Sequence, residues 1–175
     1  MSRLMSRTKL DSEQREYVEA IKSASDVLMS LIGDILDFSK IEANKLEISK
    51  APFDIRGCIG AVCRSLSSRA LEKGLELICR VDPDVPARMS NDELRLNQIL
   101  YNLIGNAIKF TDEGEVEVRV RRRTSGEHGS PQLAIVIRDS GAGIAPDKLD
   151  KIFDGFWQGD LSSTRRHSGN GLGTT

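Results

Sequence analysis

The sequence predicts an α+β protein: a helical-hairpin segment followed by an α/β sandwich, in which a mixed sheet carries helices on one face. Three observations predict it. Apolar residues recur at alternating spacings of four and three over Tyr17, Ile21, Ala24, Leu28, Leu31, Ile35 and Phe38, the seam of a helix that packs on another helix. From residue 54 onward the patterns run helix, strand, helix, strand, strand, short helix, the order of a layered α/β unit. The stretch "EVEVRVRRR" (115–123) puts valines on one face and charges on the other, as a strand with one covered side does. Residues 1–47 are therefore read as one domain and 48–175 as a second.

The first helix has a start signal: Asp11 as N-cap and Gln14 placed to close a capping box. Its seam needs a partner, and only the stub "MSRLMSR" precedes it. The expectation is a hairpin continuing beyond the first residue, pairing with a second copy into a four-helix bundle. "KLEISKAPFDI" reads as a short strand and linker, because Pro52 opposes an unbroken helix. Asp54 caps a second helix that Gly74 closes. "LELICRV" alternates like a strand and "DPDVP" is a turn. Asn91 is expected to cap the third helix, with Asp92 and Glu93 in its first turn. "SGEHGSPQ" reads as a hairpin loop, "LAIVIRD" as a buried strand, and Pro146 as the opening of a short helix through Phe153. A Gly- and Ser-rich stretch, 158–171, follows. The ending "GLGTT" leaves the sandwich expecting more chain to pack.

Composition excludes some functions. The net charge is −1, without the basic excess of a general nucleic-acid binder. No apolar run approaches the roughly 20 residues that span a bilayer. Cys58, Cys63 and Cys79 form no CxxC; they read as buried free thiols of a reducing compartment.

The third helix poses the chemical question. On a helical wheel, Leu96, Ile99, Leu100, Leu103, Ala107 and Phe110 form a broad apolar face, with Tyr101, Ile104 and Ile108 on the remaining sides. Arg95, Gln98, Asn102, Asn106 and Lys109 gather in one furrow, and no carboxylate occurs between Leu94 and Thr111. A solvent face would carry Glu. Amide oxygens and a lysine suit a polyphosphate with a hard cation, Asn oxygen on Mg²⁺ and Lys on phosphate; a plain solvent stripe is the competing reading. Asp139 ends the apolar face of the last strand. Its partner is either a backbone N–H of the next turn or the exocyclic amine of a purine. Gly141 and Gly143 let backbone approach whatever lies there. Gly169, Gly171 and Gly173 follow Arg165, Arg166 and His167, a combination suited to cradling phosphate or to a mobile lid; a disordered chain end is the competing reading.

In this order the pieces resemble a sensor histidine kinase of two-component systems, most like the hybrid subgroup. "NQILYNLIGNAIKFT" resembles the family's N box, "DSGAGI" its first glycine box, "IFDGFWQGD" its phenylalanine box and "GNGLGT" its second glycine box. "EQREYVEAIKSASDVLMSLIGDILDFSKIEANKLE" is similar to the second helix of the dimerisation and phosphoacceptor domain. The resemblance implies a Bergerat-type ATP-binding fold shared with gyrase and MutL-type ATPases. It implies ATP and Mg²⁺ as cofactors, with Asn106 on Mg²⁺, Asn102 supporting the phosphate site and Lys109 on phosphate. Asp139 would accept the adenine amine beside Gly141 and Gly143. Gly169, Gly171, Leu172 and Gly173 would frame a lid that Phe153 and Phe156 anchor. It further implies a homodimer through the 12–42 helix, a response-regulator receiver domain as partner, a cytoplasmic location, and membrane attachment only through other parts of a parent protein. Two features depart from the family: there is no H box, since the only histidines are His128 and His167, and Gly155 stands where the family has Pro. The phosphoacceptor His is therefore expected upstream of Met1. A non-catalytic dimerising module that regulates another kinase is the alternative, and a repair or topoisomerase ATPase a third.

Overall fold

The structure, a computed structural model, describes Met5, Thr8, residues 10–123, 132–150 and Ile152. The chain divides between Leu46 and Glu47 into two compact units.

The first unit contains α1 (Ser12–Glu42). Its capping box forms as the sequence predicts: Gln14 N–H donates to Asp11 Oδ1 at 2.8 Å, and Asp11 N–H donates to Gln14 Oε1 at 3.3 Å. Along this helix Tyr17, Ile21, Leu28, Met29, Ile32, Ile35 and Leu36 stand exposed, and Val18 is buried.

The second unit runs β1 (Ala51–Asp54), α2 (Ile55–Glu72), β2 (Glu76–Val81), β3 (Arg88–Asn91), α3 (Glu93–Phe110), β4 (Glu115–Arg123) and β5 (Gln132–Asp139). A single 3₁₀ turn, Pro146–Lys148, follows. β2 pairs parallel with β4, and β4 antiparallel with β5, which gives the expected mixed sheet. β1 and β3 form a separate antiparallel ribbon. The strand at 88–91 has little signal in the sequence, because "ARMSN" is short and carries no β-branched or aromatic residue.

The core lies between the two helices and the sheet. α2 contributes Ile55, Ile59, Val62 and Leu66, α3 contributes Leu100, Ile104, Ala107 and Ile108, and β4 contributes Val116, Val118 and Val120. α2 starts at Asp54, whose carboxylate accepts from Arg56 N–H. It ends with Lys73 as C-cap and Gly74 at φ +71°. Leu75 N–H bonds Ala70 O and Gly74 N–H bonds Leu71 O, both at 2.9 Å, the Schellman pattern that an αL glycine permits. Cys58 and Cys63 are buried, whereas Cys79 is exposed; among the described residues β2 is an edge strand.

Two expectations for α3 are corrected. Asp92, not Asn91, is the N-cap. Asn91 is the last residue of β3, paired with Ala51, and the next residue has the three-residue reach to Arg95 N–H. The wheel also placed the buried face too far round. Ile104 and Ile108 are buried, while Ile99, Leu103 and Phe110 are 55%, 38% and 55% exposed. A helix that is apolar over most of its circumference does not itself say which arc packs. α2 and the sheet take the arc opposite the polar furrow, and three apolar side chains remain outside beside it.

Candidate nucleotide site

The candidate site is built on α3 and on the turn after β5. Two hydrogen bonds set the start of α3: Arg95 N–H and Ser49 N–H each donate to Asp92 at 3.0 Å. They hold the Asp92 carboxyl below the usual carboxylate range, the Arg95 bond first and the Ser49 bond next. Along the furrow, Arg95 Nη1 donates to Gln98 Oε1 at 2.8 Å, and Asn106 Nδ2 donates to Asn102 Oδ1 at 3.3 Å. The asparagine pair spends one amide nitrogen and one amide oxygen on itself, leaving Asn106 Oδ1 outside the pair. Both asparagines and Lys109 are half-buried. Burial pushes the Lys109 ammonium below its ordinary pKa, and its Nζ sits 5.0 Å from the centre of the Phe110 ring.

The β4–β5 register sets Asp139 opposite buried Val116, with Ile137 opposite Val118 and Ile135 opposite Val120. Asp139 therefore ends the core face of its strand, as alternation predicts. Gly141 N–H donates to Asp139 Oδ1 at 3.0 Å, so the next turn supplies a partner, and among the described residues no donor reaches Oδ2. Gly141 is needed for a reason internal to the fold. A Cβ there would lie 2.6 Å from Phe110 O and 3.1 Å from Thr111 Oγ1; only glycine lets this turn close on the end of α3. Ser140 fixes the same junction, its hydroxyl donating to Glu113 O at 3.1 Å and accepting from Glu115 N–H at 3.0 Å. Gly143, at φ +71°, has open space on its Cβ side.

The structure thus brings Asp139 and Gly141 to the last turn of α3, the turn that carries Lys109. Asn106 lies one turn back, about 6 Å along the axis from Phe110, and Asn102 one turn further. A cleft of about 230 Å³ between α2 and α3 is lined by Leu66, Arg69, Glu72, Lys73, Gly105, Ile108 and Lys109; of the predicted residues it takes in Lys109 alone. Phe153, Phe156, Gly169, Gly171, Leu172, Gly173, His128 and His167 lie outside the described residues. One contributor has no signal in the sequence: Lys73, whose Nζ donates to Ile108 O, Lys109 O and Thr111 O at 2.9, 2.9 and 2.6 Å. A lysine just before a closing glycine reads as an ordinary helix end, and its reach to a helix 35 residues on is a property of the packed fold.

Comparison with known proteins decides the family. Residues 1–44 match the profile of the His Kinase A (phospho-acceptor) domain, and residues 91–175 match that of the histidine kinase-, DNA gyrase B- and HSP90-like ATPases. The chain belongs to the sensor histidine kinases. It is 40% identical over 172 residues, 98% of its length, to the signal transduction histidine-protein kinase BarA of Escherichia coli. It is 41% identical over 175 residues to the hybrid signal transduction histidine kinase L of Dictyostelium discoideum. It spans 19% of the first relative and 10% of the second. Among solved structures it is similar to full-length ShkA in complex with AMPPNP, with 40% identity, a TM-score of 0.75, and coverage of 99% of this chain and 35% of that one. The α+β architecture with its mixed sheet is that of the kinase catalytic ATP-binding fold, and ATP binding goes with membership of this ATPase family.

Proposed function

We propose that residues 48–175 bind Mg-ATP along the furrow of α3, and that the whole protein transfers the γ-phosphoryl group to a histidine of a dimerisation domain and on to a receiver aspartate. The observation that carries this reading is the closure of Asp139 and Gly141 onto the last turn of the helix bearing Asn102, Asn106 and Lys109. It brings a carboxylate to the end of the helix that carries the amides and the ammonium. The similarity to ShkA, solved with AMPPNP, supports the nucleotide as ligand.

The residues fit a magnesium nucleotide. Mg²⁺ takes oxygen ligands and is commonly shared between a few protein groups and substrate phosphates. Asn106 Oδ1, outside the amide pair, is such a ligand. When bound, Mg²⁺ neutralises charge on the transferring phosphoryl group. Asn102 orients Asn106 through their hydrogen bond. Lys109, whose ammonium burial pushes below its ordinary pKa, would contact the phosphates. Asp139 Oδ2 accepts the adenine amine, and Gly141 and Gly143 shape the pocket around it. The exposed apolar strip of Ile99, Leu103 and Phe110 flanks the furrow. Gly169, Gly171, Leu172 and Gly173 are proposed as the lid frame, with Phe153 and Phe156 as its anchors.

The exposed seam of α1 supports a homodimer through the 12–42 helix. The hybrid kinase relative supports a response-regulator receiver domain as partner. A cytoplasmic location is proposed; among the described residues no helix is long and apolar enough to cross a membrane, and any attachment would come through other parts of the whole protein. A second reading is a dimerising module that regulates another kinase. Labelled ATP separates the two readings. Phosphate appearing on an added H-box helix supports the kinase, and a dimer without transfer supports the module. For the site, Asp139→Asn and Asn106→Asp are expected to weaken Mg-ATP by about tenfold each in calorimetric titration, with the far-ultraviolet circular dichroism unchanged. Unaltered affinity in both variants would falsify the site.

A further inference from the structure

Lys73 stands outside the furrow, yet it holds the part of α3 on which the furrow depends. A helix leaves its last four carbonyls without partners inside the helix. In α3 three of the four accept from side chains. Ala107 O accepts the Thr111 hydroxyl at 2.7 Å. Ile108 O and Lys109 O both accept from Lys73 Nζ, which also donates to Thr111 O just beyond the helix. Phe110 O is the atom against which Gly141 closes. An ammonium has three protons and no acceptor, so these three carbonyls use its whole donor capacity. Lys73 is itself fixed, as the C-cap of α2 before Gly74 at φ +71°. Its ion pair with Asp112, at 3.9 Å with Asp112 88% exposed, adds little.

We infer that Lys73 is a positioning residue for the proposed nucleotide site: from α2, it clamps the last turn of α3 so that Lys109 and the Asp139–Gly141 turn face the ligand in register. The inference rests on the Mg-ATP reading. There is an electrostatic reason for a cation here as well as a geometric one. The C-terminus of a helix carries about half a negative charge, and a triphosphate bound along Asn106 and Lys109 would feel it. Lys73 neutralises that end without reaching the ligand itself. Its orientation separates it from Lys109: Lys73 points its protons at backbone, so it is not available to grip phosphate.

The test is a double-mutant cycle on the full chain, read by Mg-ATP titration. Lys73→Met is expected to weaken binding by about tenfold, and Lys73→Arg, which keeps charge and donors, to recover most of it. In an Asp139→Asn background the Lys73→Met loss should shrink to about threefold or less, because the turn that Lys73 positions then offers an amide in place of the carboxylate. A residue that only adds stability would give the same loss in both backgrounds, and such additivity overturns the inference. If Lys73→Met does not fold, Lys73→Gln, which retains two amide donors, takes its place in the cycle and additivity there is equally decisive. Failure of the parent chain to bind Mg-ATP would overturn the nucleotide reading and this inference with it. Normal parent binding with a silent Lys73→Met would overturn this inference alone.

Discussion

α1 and α3 are both rich in apolar residues, but they use them differently. In α1 Tyr17, Ile21, Leu28 and Ile35, four members of one seam, remain exposed, although the helix is well capped and 31 residues long. In α3 Leu100, Ile104, Ala107 and Ile108 are buried by α2 and the sheet, and the polar side carries the proposed site. A strict alternation of four and three marks a narrow contact line suited to a helix like itself. A broad apolar surface marks a helix enclosed by mixed neighbours. Sequence pattern thus separates a helix whose seam stays exposed among the described residues from one whose apolar arc is covered within its own unit.

The largest test of that difference is within α3. Ile104→Ala should cost about 2–5 kcal/mol in urea unfolding, as a cavity in a fully buried position does. Ile99→Ala, five residues away and more than half exposed, should stay within about 0.5 kcal/mol. The reverse ranking would mean that the wheel drawn from sequence was right and the packing described here wrong.

How much could be read beforehand follows from which interactions are local. The capping box at Asp11, the closing glycine at Gly74, the face of Asp139 and the alternation of β4 were legible because each depends on residues a few positions apart. The ribbon of β3, the buried arc of α3 and the Lys73 clamp were not, because each is decided by segments distant in sequence. The candidate site divides the same way. Spacing alone gathers Asn102, Asn106 and Lys109 in one furrow without saying whether ligand or solvent faces it, whereas Gly141 reads as a ligand-facing glycine and is also required by Phe110 O. The N-cap error at Asn91 has the same origin, since pairing with Ala51 draws that residue into a strand.

The seam of α1 gives the next effect. If a second copy covers it, Leu28→Glu places two carboxylates in one apolar contact and should weaken dimerisation at least about a hundredfold, seen as a shift from dimer to monomer in sedimentation equilibrium. Mg-ATP affinity should not change, because Leu28 belongs to the first compact unit and the proposed furrow to the second. A parent chain that is already monomeric at high concentration would remove the homodimer proposal.

The smallest effect contrasts the two units in alkali. Cys63 is held in the core of the second unit, and burial, followed by the neighbouring Cys79, pushes its thiol from 9.0 up to about 12. The folded state therefore keeps a proton that the unfolded chain releases, and stability must fall as pH rises from about 9 toward 12. In the first unit Tyr17 is also raised, chiefly because its hydroxyl donates to Glu13 Oε1 at 2.6 Å, but this bond is on the surface and little depends on it. Urea midpoints measured from pH 8 to 11 should decline for the parent chain, and decline less for Cys63→Ala once its lower starting stability is subtracted. Tyr17→Phe should leave the slope nearly unchanged. If instead Tyr17→Phe flattens the curve and Cys63→Ala does not, the alkaline weakness lies in the exposed helix and the buried thiol contributes nothing to it.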